Sequence, residues 1–172
     1  PRFPLTPNQG YLPDPFTCQD YIHQYLQQTI KLNLLGGAVV SGSFQAFDQT
    51  YLVDALQQLG DGFVGVTQLP ASATDDEIIA LNTQGVRALR FNLKRGGSES
   101  ITELDRLANR VYELVGWHVE LYVDSPLLEG LYKTLISLPA VSIDHLGLSK
   151  GGFPVLLKLA EKGVGIKATG FG

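Results

Sequence analysis

Five side chains in this sequence stand where strand ends would present them, and their types suit work on a carbonyl or an anion. Asp144-His145 closes the apolar run Val141-Ser142-Ile143 and precedes Leu146-Gly147. Arg90 and Asn92 lie late in Val86–Leu93, and Tyr122 lies late in His118–Val123. A neutral imidazole binds a metal through one nitrogen, and a protonated one polarises a carbonyl. A guanidinium is costly to bury unpaired, so Arg90 calls for a bound anion or an internal ion pair, with Glu120 as the candidate partner.

The elements that must carry these residues repeat along the chain. Strand starts near Ala38, Gly62, Val86, His118, Ala140 and Val164 are 22 to 32 residues apart, room for a strand, a loop and a helix each time. The strands read as Ala38–Gly42, Phe63–Thr67, Val86–Leu93, His118–Val123, a strand within Pro139–His145, and Val164–Thr169. Helices are expected over Cys18–Lys31, Asp48–Leu59, Asp75–Thr83, Ile101–Val115, Pro126–Ser137 and Phe153–Lys162. Thr17 with Asp20 is an imperfect capping box, Thr74 a candidate cap, and Ser100 with Glu103 a full box. Five prolines make Pro1–Pro15 an irregular loop.

Strands alternating with helices, with no hairpin signal, predict a parallel sheet. Within His118–Val123 one face is Val, Leu, Val and the other His, Glu, Tyr; Val86–Leu93 splits the same way. An open sheet covered by helices on both sides would be apolar on both faces, whereas a barrel tolerates a polar lumen. The expectation is therefore an α/β chain, a (β/α)8 TIM-type barrel in one domain over residues 1–172. Six strands are visible where eight are needed, so the first and eighth strands are expected to be missing from this chain.

Composition narrows the classes. With 13 basic and 17 acidic residues and no basic block, a nucleic-acid partner is disfavoured. No apolar run approaches a membrane span, and a single cysteine fits a reducing compartment, so a cytoplasmic protein with no membrane partner is expected. Exposed apolar sheet edges would encourage homo-oligomers.

Four strings occur in register: Gly85-Val86-Arg87-Ala88-Leu89-Arg90-Phe91-Asn92, Gly116-Trp117-His118-Val119-Glu120-Leu121-Tyr122, Ile143-Asp144-His145-Leu146-Gly147, and Lys167-Ala168-Thr169-Gly170. Together they resemble the lactonase branch of the amidohydrolase superfamily, whose type member opens 2-pyrone-4,6-dicarboxylate. The resemblance implies a hydrolase opening a cyclic ester of a small carboxylated or sugar-derived substrate with activated water. It implies Arg90 as the carboxylate-binding arginine, Tyr122 as a pocket tyrosine, and His145 as the histidine that polarises the carbonyl or meets a metal. Zinc or manganese could be bound, although some relatives need no metal. A His-x-His pair on the first strand and a water-activating Asp on the eighth are expected outside this sequence. Leu148 departs from the pattern, where the type member has an arginine; losing that guanidinium makes a doubly carboxylated substrate less suited.

Other readings stay open beside it. A metal-dependent decarboxylase or amide hydrolase of the same superfamily, or a non-catalytic barrel binding a small acid, would use the same face. Asn92 could donate to a substrate oxygen or cap a loop. Arg95, in the glycine-rich Lys94–Ser98 loop, could reach an anion or be solvated. Lys167 faces the lumen by parity and could hold a carboxylate or pair with an acid. Asp144 could orient His145 or face the helices. His118, near its strand's start, reads as structural; Ser41, Ser43 and Gln45 could line the mouth, and no Gly-x-Ser-x-Gly elbow surrounds the serines.

Overall fold

The computed structural model describes residues 3–8, 12–14, 16–29, 31–32 and 35–169. Parts of the proline-rich loop, Ile30 and Gly170 lie outside the described residues. The strands are β1 (Gly37–Val40), β2 (Phe63–Thr67), β3 (Val86–Asn92), β4 (His118–Tyr122), β5 (Val141–Ile143) and β6 (Gly165–Ile166). They form one sheet in sequence order, every neighbouring pair parallel. The helices are α1 (Cys18–Thr29), α2 (Thr50–Leu59), α3 (Asp75–Thr83), α4 (Leu104–Val115), α5 (Leu128–Ser137) and α6 (Phe153–Glu161).

One side chain reports the curvature of the sheet. Arg90 on β3 donates to the carbonyl of Ser41, which follows β1, and to Asp144, which follows β5. Four flat strand steps would separate β1 from β5 by roughly 19 Å. A single guanidinium spans that gap only because the sheet curls inward, as part of a barrel wall does.

The alternation seen in the sequence sorts the two faces. Leu89, Phe91, Val119, Leu121 and Ile143 point outward and are fully buried with Leu52, Ile78, Leu107, Val111, Leu135 and Leu159 from the helices. Each such side chain contributes about 1.5–3 kcal/mol by leaving water. The inner face carries Arg90, Asn92, Glu120, Ser142 and Asp144, all buried. Gly65 faces α2, where an added Cβ would sit 3.0 Å from Leu56 and 3.2 Å from Leu52, so the missing side chain lets helix and strand approach.

Boundaries differ from expectation where side chains compete for the backbone. Ile101–Glu103 and Ser125–Leu127 are 3-10 turns that lead into α4 and α5. Ser100 accepts from Thr102 N, but Glu103 binds Arg106 instead of returning to Ser100, so the full box expected there is absent. The reciprocal box forms at Thr74, whose Oγ1 accepts from Glu77 N while Glu77 Oε2 accepts from Thr74 N at 2.7 Å. Thr74→Ala should cost about 1 kcal/mol in denaturant unfolding, and a cost near zero would deny the cap its role. The last strand is also shorter than Val164–Thr169, because only Gly165 and Ile166 find partners on β5. Among the described residues, no helix is long and apolar enough to cross a membrane.

Candidate active site

The C-terminal ends of the strands bring three of the predicted residues into one contact chain. Arg90 Cζ lies 4.9 Å from the centre of the Tyr122 ring, a cation–π arrangement. Tyr122 meets the His145 ring edge-on, with centroids 5.6 Å apart and planes at 85°. Parity explains the first contact, since in the register of β3 and β4 Arg90 lies opposite Glu120 and Asn92 opposite Tyr122, all on one face. Backbone conformation explains the second.

His145 does not continue β5. It opens a left-handed turn in which His145, Leu146, Gly147 and Leu148 have φ of 50°, 50°, 70° and 63°. Such backbone costs roughly 1–2 kcal/mol for each residue other than glycine. The turn is held by Leu146 N donating to Lys167 O, Gly147 N to Asp144 O and Leu148 N to His145 O, at 2.9–3.0 Å. Gly147 is required twice over, since an added Cβ would also sit 2.8 Å from that of Ser125. The turn swings the imidazole toward Tyr122, and Thr169 Oγ1 holds its Nδ1 at 2.9 Å. Among the described residues Nε2 has no hydrogen-bond partner, so it is the nitrogen available to a carbonyl, a proton or an ion.

Beneath this chain lies a buried ionic network. Asp144 Oδ2 accepts from Arg90 Nε at 3.1 Å and from Nη2 at 2.8 Å, and Ser41 O accepts from Nη1 at 2.7 Å. Lys167 Nζ lies 3.2 Å from Asp144 Oδ1 and 2.5 Å from Glu120 Oε2, and His118 Nε2 lies 3.2 Å from Glu120 Oε1. Arg90 therefore pairs with Asp144, not with Glu120. Lys167, for which the sequence allows either a substrate carboxylate or an internal acid, sits between two internal carboxylates. Asp144 faces the lumen, which its polar parity with Ser142 against Val141 and Ile143 could have signalled.

Burial acts to raise the Glu120 carboxyl, but hydrogen bonds from His118 and Lys167, with their charges, outweigh it and hold it below the usual carboxylate range. A carboxylate depressed in the folded state adds stability above its unfolded pKa and loses it as pH falls through the lower, folded value. Wild type should therefore lose stability on acidification more steeply than Glu120→Gln. Equal slopes in denaturant unfolding across the acid range would sink this reading.

The remaining candidates shape the rim. Asn92 Oδ1 accepts from Arg95 N at 2.9 Å and Ser98 Oγ accepts from Asn92 N at 2.7 Å, so Asn92 folds the loop that carries the exposed Arg95. Gly97, at φ 76°, packs so tightly that a Cβ would meet Ser43 O at 2.2 Å. Ser41 and Ser43 are buried, with the Ser41 hydroxyl bonded to Tyr51, a residue the sequence did not single out. Gln45 accepts from Gly42 N at 2.7 Å. The exposed His23 lies on α1, and Arg87 turns away to Asn82. A depression of about 550 Å³ at the opposite ends of β2 and β3, lined by Phe63, Val64, Gly85 and Arg87 among others, contains none of the candidate residues.

Among the described residues no three His, Cys, Asp or Glu side chains stand close enough to hold a metal. His145 would bring one donor, since the adjacent Asp144 is engaged by Arg90 and Lys167. The residues present do not by themselves make a metal site.

Comparison with known proteins agrees with the fold. The chain matches the amidohydrolase family model over residues 1–165. It is 30% identical over 149 residues to a 2-pyrone-4,6-dicarboxylate hydrolase of Comamonas testosteroni, covering 85% of this chain and 47% of that protein. It is 27% identical over 149 residues to 4-sulfomuconolactone hydrolase of Rhizobium radiobacter, covering 84% and 48%. A solved structure of a probable 2-pyrone-4,6-dicarboxylic acid hydrolase from Acinetobacter baumannii, with citric acid bound, superposes with a TM-score of 0.73 at 26% identity. That match covers 87% of this chain and 58% of the other. The chain spans about half the length of the curated relatives it matches.

Proposed function

This chain belongs to the amidohydrolase family, and on that premise we propose that it carries the substrate-binding part of a hydrolase that opens a small lactone. The observation that carries the reading is the run Arg90–Tyr122–His145, which sets an anion binder 4.9 Å from an aromatic ring that in turn touches an imidazole. In this reading Arg90 holds a carboxylate or ring oxygen of the substrate and Tyr122 packs against the ring. His145 donates from Nε2 to the ester carbonyl and stabilises the oxyanion that forms. Water adds to the carbonyl carbon, its proton passing to a base. The ring C–O bond then breaks, and its oxygen takes up a proton to give the open hydroxy acid.

None of the described lumen carboxylates suits the role of base, because Asp144 and Glu120 are both engaged by cations. The base belongs, in this proposal, to the strands that complete an eight-stranded barrel. A divalent ion, if the complete site takes one, would use His145 as one ligand and supply Lewis-acid polarisation of the same carbonyl.

The test is a panel of lactones with and without a carboxylate, followed by loss of ring absorbance and identification of the product. Ring-opened acid is the expected product. Release of carbon dioxide in its place would move the protein to another reaction of the family. Binding of the lactones without any turnover would make it a small-acid receptor.

A further inference from the structure

We propose that Asp144 is a positioning residue, one that aims Arg90 at a substrate anion without touching the substrate itself. Arg90 has five N–H donors in a rigid plane. Asp144 Oδ2 takes those on Nε and one on Nη2, and Ser41 O takes one on Nη1. The Tyr122 ring supports the guanidinium from below. These restraints come from three separate strand ends, after β5, after β1 and at the end of β4, so together they fix the plane. One N–H remains on each terminal nitrogen, the number that the two oxygens of a carboxylate accept.

Asp144 is suited to hold and not to bind. It is 2% exposed, its amide donates to Leu121 O at 2.9 Å, and Oδ1 is met by Lys167. The carboxylate is thus held from its backbone and from its second oxygen while the first grips Arg90. Lys167 balances the charge: two buried carboxylates and two cations alternate from Glu120 to Arg90. Without Asp144 the guanidinium keeps its charge and loses its orientation.

The kinetic test rests on the lactone reading, and a binding measurement separates the two. KM and kcat are measured for wild type, Asp144→Asn and Asp144→Glu on one lactone bearing a carboxylate and one uncharged lactone of the same ring. Benzoate affinity is measured by calorimetry on the same proteins. Asp144→Asn should raise KM for the carboxylated lactone about tenfold, with KM for the uncharged one within about twofold, and weaken benzoate in parallel. Asp144→Glu keeps the charge but moves the acceptor by one methylene, and should show a smaller loss of the same kind. Equal losses on both lactones, or unchanged KM and benzoate affinity, would overturn the proposal. Should wild type open no lactone, benzoate alone decides: weaker binding in the variants upholds the aiming role, and equal binding ends it. Should Asp144→Asn fail to fold, Asp144→Glu decides by the same criteria.

Discussion

His145→Ala should lower kcat for lactone opening by about a hundred- to ten-thousandfold, the range expected when a group that moves or holds a proton at the reacting carbonyl is removed. The fold should survive. The imidazole is half-buried, its hydrogen bond is to the exposed Thr169, and its ring contact is an edge on Tyr122. The backbone strain at this position, φ 50°, belongs to the left-handed turn and not to the ring, so alanine inherits it without adding to it. His145→Asn is the better control for folding, because asparagine tolerates this region of backbone space more readily. Circular dichroism with single-turnover kinetics checks both halves of the statement. Turnover within about threefold of wild type would remove His145 from the chemistry.

Arg90→Met should have the largest effect on stability. The side chains of Arg90 and Asp144 are 9% and 3% exposed, and taking one charge from a buried pair strands the other, at a cost of about 3–5 kcal/mol. Lys167 limits the damage, since its ammonium remains 3.2 Å from Asp144 Oδ1. The double variant Arg90→Met with Asp144→Leu should recover part of the loss, because two apolar side chains leave no uncompensated carboxylate. Urea unfolding of the two single variants and the double variant measures this. A loss below about 1 kcal/mol for Arg90→Met alone would show the pair to be solvated and the lumen wet.

These two residues illustrate what a sequence makes legible. Arg90 was readable because period-two alternation places it on the face opposite Leu89 and Phe91, and only a polar lumen accommodates a charge there. Its partner was not. Glu120 is its cross-strand neighbour, yet the bond goes two strands over to Asp144, because curling brings the inner side chains of distant strands together. Asn92 and Lys167 were placed on the correct face. Their neighbours, a folded loop in one case and two carboxylates in the other, depend on where β3, β4, β5 and β6 stand relative to each other. The capping boxes show the same limit at short range. Thr74 and Ser100 have equivalent spacing to a glutamate, and Arg106 diverts Glu103 while nothing diverts Glu77.

The sequence by itself determined the order of strands and helices, the split between an apolar outer face and a polar inner one, and the placing of Arg90, Asn92 and Lys167 on that inner face. Those follow from chain-local causes: side-chain period, caps and glycine turns. The tertiary structure alone decided that His145 leaves its strand through a left-handed turn, that Arg90 is gripped by Asp144 and Ser41, and that Lys167 bridges two carboxylates. Those depend on distances between segments 23 to 54 residues apart in the chain, and such distances are set by the curvature of the sheet, which no local pattern encodes.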